Sequence, residues 1–184
     1  MTPMSMKFRL SLAAIALAVT APVIAANPMV GGAAMYPTKT IVDNAMNSKD
    51  HTTLVAAVKA AGLVETLQGP GPFTVFAPTN AAFGKLPAGT VDTLVKPENK
   101  EMLTKILTYH VVAGNMTSKD IAAAIKAGKG KATLTTVQGE PLTAWMKGNM
   151  LVLTDAKGGN STVTIKDVMQ SNGVIHVVDT VLMP

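Results

Sequence analysis

The chain has 184 residues, 48% of them hydrophobic and 15% charged, with a formal net charge of +5. So apolar and lightly charged a composition excludes a disordered chain and fits one domain with its own core. Cysteine is absent, which excludes disulfides, thiolate metal sites and a lipid carried on an N-terminal cysteine.

Lys7 and Arg9 precede an apolar run, LSLAAIALAVTAPVIAA, that ends in Ala25 and Ala26. A basic segment, an apolar segment and small residues in that order predict a secretory signal over residues 1–26, cleaved to leave Ala26 or Asn27 first. The run is short for a membrane span and contains Pro22, so no transmembrane anchor is expected after cleavage. Cleavage would also remove the only arginine, leaving 14 lysines against 11 carboxylates. Bidentate phosphate contacts are then lost and the lysines stand mostly alone, so nucleic acid is not an expected partner. The expected location is secreted or periplasmic.

Residues 27–36 are small, glycine-bearing and aperiodic, and predict a flexible leader ahead of a domain over 37–184. Ile41, Val42, Ala45 and Met46 fall at helical spacing. Asp50 is placed to cap a second helix, HTTLVAAVKAAG, which ends at Gly62 and starts with an exposed His51. After the loop QGPGP, the stretch FTVFAPTNAAF reads as a strand that Pro78 stops and a short helix that Thr79, or Asn80 one residue later, caps. PENKEMLTKILTYH is the strongest helix, with Met102, Leu103, Ile106 and Leu107 as its buried stripe and Tyr109 and His110 at its end. VVAGN predicts a strand and turn, and Ser118 the cap of a helix closed by Gly128. Five strand-like segments follow, with hairpin turns at Lys147-Gly148-Asn149 and Ser171-Asn172-Gly173. Helices first and antiparallel strands second predict an α+β fold.

The pattern is poor in chemistry. The turn at Thr79-Asn80 lacks the flanking glycines of a nucleophile elbow and the glycine-lysine spacing of a phosphate loop, so it reads as a joint. His51, His110 and His176 are far apart in sequence. Strand alternation puts Asp179 on the opposite face from His176, and both His110 and His176 read as structural. The aspartates stand singly, so no acid/base couple, catalytic residue, cofactor site or metal site is expected. Copper on methionine and histidine is the alternative to core filling by Met46, Met102, Met146 and Met169; core filling is the reading preferred.

The strings TIVDNA, TLVAAVKAAGL, FTVFAPTNAAF, LTYHVVAG and NGVIHVVDTVLMP occur in that order. Together they resemble a fasciclin domain, of the single-domain type that bacteria secrete. The resemblance implies a wedge of two mainly antiparallel sheets with helices packed around it. It implies a non-catalytic adhesion module associating with protein or polysaccharide at the cell envelope or another cell surface. It also makes Tyr109 and His110 a candidate adhesion motif, with Thr79, Asn80 and His176 as structural members of the family's motif boxes. Where the family has an Asp-Ile pair near the domain end, this chain has Asp179-Thr180. The alternative is a periplasmic carrier of a small apolar ligand or metal, held between sheets and helices.

Overall fold

The computed structural model describes residues 27–184, so the predicted signal segment lies outside the described residues. The segment read as a flexible leader is instead a small antiparallel ribbon, β1 (Met29–Val30) and β2 (Ala33–Ala34). Val30 and Met35 are buried in the core, and the Tyr36 N–H donates to Asn44 Oδ1. Its glycines bend a turn; its apolar residues anchor the ribbon.

The helices follow in quick succession. They are α1 (Ile41–Asn47), α2 (Thr52–Ala61) and α3 (Val64–Gln68). Strand β3 (Phe73–Pro78) leads to α4 (Asn80–Gly84), α5 (Thr90–Leu94), α6 (Lys100–Tyr109), β4 (Val111–Ala113) and α7 (Ser118–Ala127). The last third is all strand: β5 (Lys131–Thr135), β6 (Pro141–Lys147), β7 (Met150–Thr154), β8 (Asn160–Gln170) and β9 (Gly173–Val178). The two predicted hairpins join β6 to β7 and β8 to β9.

The strands pair in the order β4-β3-β9-β8-β7-β6-β5, all antiparallel except β3 beside β9. Two ladders share β8, where register shifts around Ile165 mark a bulge. The architecture is the predicted α+β. Alternation along the central strands divides two cores. Val75, Ala77, Ile175 and Val177 face the first, built with α1 to α6. Phe76 and Val178 face the second, closed by Ile121 and Ile125 of α7 against β5 to β7. Gly173 allows β9 to start against β3, since a Cβ there would lie 1.9 Å from the Phe73 carbonyl oxygen. The neighbouring Asn172 joins the sheet to the helices: its Oδ1 accepts the Ile41 N–H and its Nδ2 donates to the Leu67 carbonyl.

Three local expectations are corrected. The methionines do not fill the core. Met46, Met102, Met146 and Met169 are exposed, and Met35 is the one fully buried among the described residues. Met102 precedes Leu103 by one residue, which turns it off the buried stripe of α6. Met169 lies between buried Val168 and Gln170, so alternation sends it outward. Ser118 is the first residue of α7 and not its cap. Thr117 is the cap, in a reciprocal box with Asp120. His51 is buried, because the β1–β2 ribbon packs over the turn that carries it.

Candidate functional site

The joint after β3 is built from three adjacent residues. Pro78 has no N–H to offer a neighbour, and the strand stops there. Thr79 is extended, and its Oγ1 accepts the Ala82 N–H at 3.2 Å, which caps α4 as predicted. Asn80 reaches across to another helix. Its Oδ1 accepts the Thr53 N–H at 3.0 Å and its Nδ2 donates to the Lys49 carbonyl at 2.8 Å. Asn80 thus supplies the cap of α2 that the sequence assigned to Asp50, which lies in a preceding 3-10 turn. The joint locks a strand to two helix starts.

Tyr109 and His110 end α6, and both side chains are buried. The Tyr109 hydroxyl donates to the Pro141 carbonyl and accepts the Ala156 N–H, each at 3.0 Å. One phenol therefore ties the helix to β6 and to the loop after β7. Burial pushes its pKa up, opposed by the bond from Ala156. Leu182 donates its N–H to His110 Nε2 at 2.9 Å, so the ring proton sits on Nδ1 and is given to the Ile106 carbonyl at 2.7 Å. The His110 carbonyl accepts the Phe76 N–H. His110 thereby links α6, the central strand and the C-terminal segment. Burial lowers its pKa to about 4, and the ring stays neutral at pH 7.

His176 is arranged alike. Its Nδ1 accepts the Asp167 N–H at 3.3 Å, its Nε2–H donates to the Met116 carbonyl at 2.9 Å, and its ring stacks on Phe76. Burial lowers its pKa also. Asp179 points elsewhere, accepting the Thr162 N–H and facing Lys85. The β8 bulge holds Asp167 at a positive φ of 58° and turns its carboxylate to the start of α7, where it accepts the Ser118 N–H at 2.6 Å. Every ring nitrogen of His110 and His176 is committed to backbone, so neither can take up a metal or relay a proton without breaking one of these bonds. Among the described residues no three histidines or carboxylates gather as metal ligands.

His51 is the exception. Its Nδ1 is bonded to Ser48 Oγ at 2.9 Å, but its Nε2 is buried without a partner beside a cavity of about 10 Å³. That space suits one water. A second cavity, about 30 Å³, lies between α1, α2, α3, α6 and β3, lined by apolar side chains such as Leu54, Val58, Leu67, Val75 and Leu107, with His110 at its wall.

One feature of the surface is absent from the motifs above. Trp145, on the outward face of β6, donates its indole N–H to Thr154 Oγ1 at 2.9 Å, and Thr154 donates in turn to Asn160 Oδ1 at 2.6 Å. The alternation in PLTAWMK, with Leu142 and Ala144 inward, was the signal that puts Trp145 outside.

The fasciclin domain model matches residues 49–184. Protein sll1483 of Synechocystis sp. is 49% identical over 156 residues, covering 85% of this chain and 79% of that protein. The cell surface glycolipoprotein MPB83 of Mycobacterium bovis is 37% identical over 160 residues, covering 84% of this chain and 64% of that protein. In fold, the chain is similar to a FAS1 domain pair from the insect cell adhesion molecule Fasciclin I. The TM-score is 0.69 at 19% identity, over 79% of this chain and 51% of that one. No helix among the described residues is long and apolar enough to cross a membrane. With a family model spanning most of the described residues and a relative 49% identical over 156 residues, this chain belongs to the fasciclin domain family.

Proposed function

We propose that this protein is an exported, non-catalytic binding module that associates with a cell surface or envelope component. One observation carries the reading: the polar groups of Tyr109, His110, His176, Thr79 and Asn80 are consumed by internal hydrogen bonds. A catalyst needs a titratable group within reach of substrate, and the titratable members, Tyr109, His110 and His176, are buried with their polar atoms bonded to backbone. Recognition then belongs to the outer surface, with the Tyr109-His110 motif holding that surface in shape. The relationship to a protein named for the cell surface supports the location. The test is retention of purified residues 27–184 on envelope fractions. Saturable retention at micromolar protein is the result expected; no retention on any fraction contradicts the reading.

The carrier alternative has one observation in its favour, the apolar cavity beneath α1. At about 30 Å³ it is several-fold smaller than the roughly 150 Å³ that accepts benzene. A carrier would have to open the helical layer. Binding of a fluorescent apolar probe with a matching rise in melting temperature would revive it.

A further inference from the structure

The geometry points to the outward face of β5, β6 and β7 as a docking platform for an anionic, uronate-type polysaccharide, centred on Trp145. This rests on the binding-module reading and names its site and partner class. Lys131, Thr143, Trp145 and Thr154 line a shallow depression of about 430 Å³ on this face. They are neighbours by register: Lys131 lies opposite Trp145, and Thr143 opposite Thr154. The indole is not free to swing, because the bonds from Trp145 to Thr154 to Asn160 fix its plane. A fixed indole is a sugar platform. Its electron-rich face attracts the slightly positive C–H groups on one side of a pyranose ring, and it loses little rotamer freedom on binding. Of the threonine hydroxyls beside it, that of Thr143 can donate and accept as a sugar hydroxyl requires, while Thr154, whose proton goes to Asn160, can only accept.

Charge selects among sugars. Strands β5, β6 and β7 carry two lysines, Lys131 and Lys147, and no carboxylate. Alternation puts both on the Trp145 face, Lys131 opposite Trp145 on β5 and Lys147 two residues along β6, and both are exposed. Neither is in an ion pair among the described residues. Two unpaired lysines on the face of a stacking ring complement a chain that carries a carboxylate on its sugars.

Trp145 is the only tryptophan in the chain, so its emission reports this face alone. Residues 27–184 are titrated with polygalacturonate, neutral dextran and poly-glutamate. A saturable emission change with polygalacturonate, weakened by salt and absent with the other two, is expected. The double variant Lys131→Ala, Lys147→Ala should keep its melting temperature and bind at least about tenfold more weakly. Trp145→Phe, followed by affinity electrophoresis, should also weaken retardation by polygalacturonate. An unchanged emission, an equal response to poly-glutamate, or an equal response to dextran overturns the assignment. Envelope retention separates the two readings. If the double variant is retained as well as the natural sequence, the platform is wrong and the module stands; if neither is retained, the module reading itself fails.

Discussion

Tyr109 and Trp145 are both aromatic residues whose polar atoms are hydrogen-bonded within the chain, yet they sit in opposite settings. Tyr109 is fully enclosed, and its hydroxyl serves two backbone groups from different strands and loops. Trp145 is half-buried on an outward sheet face, bonded to side chains alone. A buried hydroxyl that satisfies backbone cannot be removed without stranding a carbonyl and an N–H. A side-chain chain on the surface can be cut, and water replaces it. The first region therefore holds the fold, and the second is available for recognition.

Variants of the interior should change stability and leave binding alone wherever the protein remains folded. The largest effect is expected from His110→Ala. It opens a cavity and strands the Ile106 carbonyl and the Leu182 N–H, which should cost about 3–4 kcal/mol in denaturant unfolding. A variant as stable as the natural chain would put His110 outside the scaffold.

Acid should act on the same residue. The folded pKa of His110, about 4, lies below its unfolded value of 6.5, so its contribution is complete above pH 6.5 and is lost as pH falls through 4. The loss is on the order of 3 kcal/mol, from about 1.4 kcal/mol per pH unit. His176 and His51, also lowered by burial, add in the same direction. Stability that stays flat from pH 7 to pH 4 would mean that these rings are not held neutral.

Smaller effects are expected at the joint. Asn80→Ala removes a bond to the start of α2 and one to the Lys49 carbonyl, for about 1–2 kcal/mol. Thr79→Ala removes only the cap of a five-residue helix, for about 1 kcal/mol. Their order matters more than their size. If Thr79 proves the costlier, the reach of Asn80 to α2 is not what holds the helices to the strand.

What could be read from sequence divides by distance along the chain. Thr79 capping α4 depends on a partner three residues on, and the two hairpins on adjacent turn residues; local patterns carried both. The structural reading of His110 agrees with its spacing behind Leu103 and Leu107. The misses rest on long-range partners. Asn80 meets Thr53 and Asp167 meets Ser118 across 27 and 49 residues, and no propensity encodes such pairs. The small residues of the ribbon suggested flexibility because the helical surface that buries Val30 and Met35 is supplied by later sequence. The methionines differ for another reason: hydrophobicity alone predicts burial, whereas helical and strand phase turns Met102 and Met169 outward.

Tyr109→Phe tests the scaffold claim most directly, because it deletes one oxygen and leaves the ring in place. Unfolding and envelope retention are measured on the same preparation, at a temperature where the variant is folded. The account predicts a loss of about 1–3 kcal/mol, from an unpaired Pro141 carbonyl and Ala156 N–H, with retention unchanged. Full stability together with lost retention would contradict it, and would make the Tyr109 hydroxyl a contact with the partner.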